Sequence, residues 1–252
     1  MNEAGTERSL EAAAGLTIFI TAASPAVGVP LAAALAGTGH RVALLGDAAS
    51  GGPHGAVHLP LSLRSRDALA RGFAQAEERL GRAELIIHDA MPAMPAATRR
   101  VVDLSYAEWS QLTHRTVTAA LYCLQAAAAH FAGRVGSVLM LGPAMALVGA
   151  PGLVPLTAAL EAQRSLMKSA ARQWGKNALR LNWLALADTS YPQLAAASIP
   201  AVPELGPPPP AFGRAPDLKG EIASLVAFFG SAASSALTGA TLNADGGNWM
   251  VP

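Results

Sequence analysis

The chain has only one cysteine, Cys123, among its 252 residues. This excludes an internal disulfide framework and a zinc site built from several thiolates, and we expect no metal site. The chain also lacks an excess of either charge, because 18 Lys and Arg residues are balanced by 17 Asp and Glu residues, which gives a formal net charge of +1. Such a balance gives no electrostatic basis for binding nucleic acid or an anionic membrane, so we expect neither as a partner.

Long apolar runs are missing as well. No stretch reaches about 18 apolar residues without Gly, Pro or a charge, so we expect no membrane-spanning helix. Residues 1–14 lack the basic region and apolar core of a secretory signal. We therefore expect a flexible N-terminal leader over residues 1–14, a single domain over residues 15–252 and a cytoplasmic protein.

The sequence does contain short β-rich runs that alternate with longer helical patterns. Alternation of this kind indicates βαβ units and a parallel sheet. We predict an α/β fold, a Rossmann-like doubly wound parallel sheet of about seven strands with helices on both faces. The expected strands are residues 16–21, 41–45, 56–61, 84–88, 136–141, 179–186 and 240–243, and the expected helices are residues 28–39, 65–80, 105–131, 157–175 and 217–230.

Three segments carry a family resemblance. Glu108-Trp109 precedes an Ala-rich helix, residues 163–175 lead into the strand LRLN at 179–182, and TG at 238–239 is followed by NADGG at 243–247. On these segments the chain resembles the short-chain dehydrogenase/reductase (SDR) family from about residue 16 to residue 249. The resemblance implies a single Rossmann-like domain, an NAD(P) cofactor and oligomers formed through helices 105–131 and 157–175.

The cofactor loop departs from the family pattern TGxxxGxG. This chain reads TAASPAVG from Thr21 to Gly28, so that only the last glycine is kept. Ala22 and Ala26 place a Cβ where close approach of the pyrophosphate needs glycine. The ribose-binding acid position falls on a glycine, with Asp47 beside it as a weak candidate. We therefore expect no cofactor to bind.

The catalytic positions depart further. The resemblance assigns Asn, Ser, Tyr and Lys roles to Thr116, Pro143, Leu156 and Leu160, and none of these residues carries the family's function. Each tyrosine of the chain lacks a lysine four residues later, so the motif YxxxK is absent. We therefore predict that SDR-type NAD(P)-dependent oxidoreductase activity is absent and that these four positions form a degenerate site.

Four polar residues follow strands at the expected cleft. His88 and Asp89 end the fourth predicted strand, and Asp188 and Tyr191 follow the sixth. Parallel α/β sheets bind ligands at this edge. Because neighbouring residues of a strand point to opposite faces, His88 and Asp89 are poorly placed to touch.

Two hypotheses follow. We interpret the chain first as a non-catalytic SDR-fold subunit, a pseudoenzyme that pairs with an active SDR-like ketoreductase or dehydrogenase as a hetero-oligomer. The contacts would be made by helices 105–131 and 157–175 and by the C-terminal tail, and a homo-oligomer stays open. The alternative is an enzyme with repurposed non-redox chemistry, or a small-molecule binder, in the former substrate cleft.

Overall fold

Seven strands form one parallel sheet in the computed structural model, which describes residues 15–21, 24–46, 52–92, 98–192, 194 and 209–250. The strand order is β3-β2-β1-β4-β5-β6-β7. The central strands are continuous apolar runs because both of their faces are covered. The strands are β1 Thr17–Thr21, β2 Arg41–Gly46, β3 Ala56–Pro60, β4 Leu85–Asp89, β5 Gly136–Pro143, β6 Leu179–Leu186 and β7 Thr241–Ala244.

Helices cover both faces of this sheet. α1 and α5 contact each other, while α2, α3 and α4 pack side by side in sequence. The helices are α1 Gly28–Gly37, α2 Arg66–Leu80, α3 Tyr106–His130, α4 Val154–Trp174 and α5 Ala223–Gly230. The predicted doubly wound α/β fold is confirmed, and the predicted leader at residues 1–14 lies outside the described residues.

Local side-chain chemistry explains where α3 begins. The Ser105 hydroxyl accepts a hydrogen bond from the Glu108 backbone N–H at 3.3 Å, and the Glu108 carboxylate accepts one from the Ser105 N–H at 3.0 Å. This reciprocal capping box satisfies two N–H groups that a helix start leaves unpaired. The same Glu108 that supports the family resemblance therefore also fixes the first turn of α3.

The helix predicted over residues 217–230 has a different first turn. Residues Leu218–Ile222 form a π-helical turn, in which the Ile222 N–H donates to the Asp217 carbonyl at 2.9 Å, and α5 proper starts at Ala223. Asp217 caps this turn by accepting from the Gly220 N–H at 2.7 Å. The extra residue in the turn shifts the start without changing the direction of the helix.

The candidate site lies at the carboxyl edge of the sheet, where β1 and β4 are neighbours. The chain winds outward in opposite directions from these two strands, so their carboxyl ends border a crevice between the crossing helices. Thr21 and His88 are aligned partners at this end, and Asp89 follows directly.

Among the described helices, none is both long and apolar enough to cross a bilayer.

Candidate functional site

Asp89 forms the centre of one side of the crevice. Its carboxylate is completely buried and accepts hydrogen bonds from the Ser24 N–H at 2.8 Å and from the Met91 N–H at 3.4 Å. The Gly28 backbone also contributes a hydrogen bond. Burial nevertheless raises the pKa of Asp89 to about 6, because the desolvation of the charge outweighs these donors.

His88 points to the opposite face of the sheet. Its Nδ1 lies 2.9 Å from the Thr21 hydroxyl, which in turn lies 3.2 Å from the Cys123 sulfur. Burial lowers the pKa of His88 to about 4, and a contact with Gln163 counteracts this only partly. His88 is therefore a neutral core residue of the α3–α4 side and does not pair with Asp89, as the strand geometry predicted.

Asp188 and Tyr191 stand beyond the end of β6, on the side of the crevice near Asp89. The Asp188 carboxylate accepts from the Met145 N–H at 2.9 Å and from the Trp249 indole N–H at 3.0 Å. The Tyr191 ring is fully buried, and no described group is hydrogen-bonded to its hydroxyl. Burial, together with the charges of Asp89 and Asp188, raises the pKa of Tyr191 well above its usual value.

The four positions that were predicted to form a degenerate catalytic site are all buried. Leu156 and Leu160 are at most 1% exposed and belong to the hydrophobic core, so they present an apolar wall on α4. The Thr116 hydroxyl donates to the Leu112 carbonyl at 2.7 Å within α3, which uses its proton locally. Pro143 closes β5 and offers no hydroxyl. None of these four residues holds a proton that a substrate can take.

The dinucleotide that the resemblance implies would place its pyrophosphate at the N-terminus of α1. Three of the described amides there are already engaged. Ser24 N–H donates to Asp89, Val27 N–H to the Ser24 hydroxyl at 3.1 Å, and Val29 N–H to the Ser24 carbonyl at 3.0 Å. Pro30 has no N–H to give. In this arrangement the described residues do not fit a pyrophosphate.

Some predicted site residues lie outside the described part of the chain. Ala22 and Asp47 are in this group, while Ala26 and Gly28 border the start of α1. No group of three or more His, Cys, Asp or Glu suited to a metal ion occurs among the described residues.

Three contacts at the site were not anticipated from the sequence. These are the hydrogen bonds of Ser24 with Asp89 and of Trp249 with Asp188, and the contact of Gln163 with His88. The first could have been found by noticing that an acid follows β4 while the loop after β1 is rich in backbone donors. The Trp249 contact depends on how the segment after β7 folds back, and the sequence carries no signal for that.

Known proteins are similar to this chain over nearly its whole length. Residues 21–248 match the model of a family described as Enoyl-(Acyl carrier protein) reductase. A gluconate 5-dehydrogenase of Gluconobacter oxydans is 28% identical, covering 92% of this chain and 94% of that protein. The 3-oxoacyl-[acyl-carrier-protein] reductase MabA of Mycobacterium avium is 24% identical over 99% of both chains. A cis-4-hydroxycyclohexanecarboxylate dehydrogenase of Sinomonas cyclohexanicum is 26% identical, covering 94% of this chain and 98% of that protein.

A solved structure confirms the fold alone. An NADH-dependent reductase complexed with NAD superimposes with a TM-score of 0.75 at 19% identity, covering 94% of this chain and 98% of the other.

The similar proteins correct the functional hypothesis. The prediction of a non-catalytic subunit that serves an active partner is wrong, because the relatives that span nearly the whole chain are named as dehydrogenases and a reductase. They do not favour the alternative of non-redox chemistry either. The physical reason for the error is that residues at motif positions report on one way of supplying a proton, whereas a reaction class can be served by another group in the same cleft.

Proposed function

The chain belongs to the short-chain dehydrogenase/reductase family, and we propose that it is an oxidoreductase that interconverts a carbonyl and a hydroxyl group. The names of its relatives support this reaction class, since gluconate, a 3-oxoacyl group and a hydroxycyclohexanecarboxylate all carry such a group. The reaction would take place at the carboxyl edge of the sheet, between the ends of β4 and β6.

The single observation that carries the proposal is the buried hydroxyl of Tyr191. It is 0% exposed and has no hydrogen-bond partner among the described residues. An unpaired polar group in a protein interior costs roughly 1–3 kcal/mol, so a partner from outside the described residues would stabilise it. Tyr191 is one of six described side chains with such an atom, and it lies beyond the carboxyl end of β6. A substrate oxygen at this end of the sheet is the partner that we propose.

Tyr191 has the protonation state that this role needs. Reduction of a carbonyl adds a hydride to carbon, which a reduced nicotinamide dinucleotide would have to supply, and a proton to oxygen, for which the described residues account. Because burial and the charges of Asp89 and Asp188 raise the pKa of Tyr191, its phenol stays protonated and can donate to a carbonyl oxygen. A high pKa also makes the phenol a weak acid, so we expect slow turnover.

The proposal assigns no proton transfer to the family's usual positions. We propose that Thr116, Pro143, Leu156 and Leu160 serve the packing of the cleft, in keeping with their burial. Asp188 would hold the cleft in shape, because both of its carboxylate oxygens already accept hydrogen bonds from Met145 and Trp249. Tyr191 is then the one residue of this group with a free donor.

Tyr191→Phe tests this assignment. We expect the variant to lose on the order of 10²–10⁴-fold in kcat for reduction of the best substrate found, because a general acid contributes about that much. The measurement is the absorbance of NADH or NADPH at millimolar concentration, with sugar ketones, 3-oxoacyl thioesters and oxocyclohexanecarboxylates as substrates. Tyr106→Phe is the matched control, since that ring is 82% exposed.

Two outcomes would contradict the proposal. The oxidoreductase function fails if no substrate of the panel is turned over with either nucleotide. The role of Tyr191 is contradicted if Tyr191→Phe is as active as both the wild type and the control Tyr106→Phe.

We also propose that the protein acts in the cytoplasm as an oligomer of its own copies, assembled through α3 and α4. Support comes from α3, where the large hydrophobic side chains of Trp109 and Leu121 are each 37% exposed and Tyr106 is more so. Exposed apolar groups on a long regular helix are typical of a surface that another subunit covers. The C-terminal tail was expected to take part, but residues 251–252 lie outside the described chain.

Trp109→Glu is expected to shift this assembly towards the monomer of 25.6 kDa, because a carboxylate would be buried in an apolar contact. Multi-angle light scattering after gel filtration measures the mass. The control is Val135→Glu, a substitution at a side chain that is 71% exposed just before β5. A wild-type protein that already elutes as a monomer would disprove the proposed assembly.

A further inference from the structure

The N-terminus of α1 already holds an anion that the chain supplies itself. The Asp89 carboxylate comes from the neighbouring strand β4 and lies 2.8 Å from the Ser24 N–H, with the Gly28 backbone as a further donor. The ten residues of α1 have neither an acid in the first turn nor a side-chain cap of their own. Asp89 therefore provides the negative charge that a helix N-terminus favours.

Two further donors of this junction are engaged within the chain and are not available to a second anion. Val27 and Val29 donate within the loop, and Pro30 lacks an N–H. The described loop and α1 contain no Lys or Arg, so no cation of that segment offsets an added negative charge. An incoming pyrophosphate would meet the carboxylate in a setting that is shielded from water, where like charges repel strongly.

We propose that Asp89 is a built-in competitor of the dinucleotide pyrophosphate: ionised Asp89 and an anionic ligand exclude each other at the N-terminus of α1. The proposal concerns binding and does not depend on the proton-donating role of Tyr191. It predicts that the protein binds dinucleotides weakly while Asp89 is charged and more tightly once that charge is removed, either by substitution or by a proton.

The titratable groups around Asp89 determine whether its own protonation is the main change of charge at this junction. Tyr191 is uncharged at neutral pH, and His88 points to the other side of the sheet, where burial keeps it neutral. Asp188 lies further along the crevice, and burial raises its pKa too, but its two oxygens are held by Met145 and Trp249. Because burial raises the pKa of Asp89 to about 6, its charge is lost in a range where the protein can be studied.

The test is calorimetric binding of NAD⁺ and ADP-ribose at pH 7.5 and pH 5.5, with adenosine as a control ligand that has no phosphate. The charge of the pyrophosphate is constant over this range. Asp89→Asn removes the negative charge at nearly constant volume, so we expect it to bind both dinucleotide probes on the order of tenfold more tightly than the wild type at pH 7.5. Adenosine should bind both proteins equally.

Two further measurements keep the proposal open to refutation if Asp89→Asn folds poorly. Wild-type affinity for ADP-ribose should rise on the order of tenfold from pH 7.5 to pH 5.5, because protonation does what the substitution does. Asp89→Glu, which keeps the charge, should bind no better than the wild type at pH 7.5. Equal affinity of wild type and Asp89→Asn, or a wild-type affinity that does not change with pH, would overturn the competitor role.

Discussion

Asp89→Asn and His88→Asn should show opposite pH dependences of folding stability between pH 6.5 and pH 4, although the two residues are neighbours on β4. In the wild type the contributions of these two groups should nearly offset each other in this window. The expectation follows from two buried groups whose pKa values are shifted in opposite directions by the same cause, the loss of water around a charge.

The Asp89 contribution weakens the fold as the pH rises. Its pKa goes from 3.8 in the unfolded chain to about 6 in the folded protein, so the folded state binds more protons between these values. The free energy of unfolding then falls as the pH rises through this window, and the charged carboxylate costs about 3 kcal/mol at pH 7.

The His88 contribution has the opposite sign. Its pKa is lowered from 6.5 to about 4, so here the unfolded state binds more protons. Stability is fully present above pH 6.5 and is lost as the pH falls towards 4, by about 3 kcal/mol. The two contributions offset each other in the wild type because their windows overlap.

Each variant removes one side of this balance. On going from pH 7 to pH 4, Asp89→Asn should lose about 3 kcal/mol of stability, and His88→Asn should gain about 3 kcal/mol. Urea unfolding followed by circular dichroism at half-unit pH steps measures both slopes. Other titrating groups, such as His40 and His130, are common to all three proteins and cancel in the differences. Parallel profiles for the two variants would rule out the opposed titrations.

Leu160→Lys is expected to destabilise the protein by about 4 kcal/mol or more, even though lysine is the residue that the family resemblance predicts at this position. Leu160 is 0% exposed and packs in the main hydrophobic cluster. A lysine at this place must bury its ammonium or give up its proton, and both are costly.

Leu160→Met is the matched control, because it keeps the volume and apolar character and should cost less than about 1.5 kcal/mol. Urea unfolding at pH 7 gives both values. The double variant Leu156→Tyr, Leu160→Lys should not gain activity, since Pro143, which has no hydroxyl, is at the position where the family resemblance predicts the serine. A Lys variant as stable as the Met variant would show that water reaches α4 at this point.

The elements of the fold could be predicted well because their signals are local. Apolar runs such as the one before His88 are buried on both faces and read as parallel strands. The start of α3 carries its own capping residues in Ser105 and Glu108. The π-helical turn at Leu218–Ile222 escaped prediction, since one extra residue in a turn leaves the hydrophobic pattern unchanged.

The site could be predicted only in part. The sequence predicted a site at the carboxyl edge of the sheet, and the structure places Asp89 at the end of β4 and Asp188 and Tyr191 beyond the end of β6. The sequence did not indicate that the Asp89 carboxylate would accept a hydrogen bond from the Ser24 N–H, since that contact joins residues 65 positions apart. It also led to a wrong function, because the loss of the family's Tyr and Lys was taken as the loss of its reaction.

The contact between Trp249 and Asp188 has a mechanical consequence. One carboxylate ties the indole near the end of the polypeptide to the backbone after β5 and to the turn that carries Tyr191. A displacement of the segment that carries Trp249, caused by a neighbouring subunit or a fused tag, would therefore be expected to move Asp188 and the proposed acid beside it.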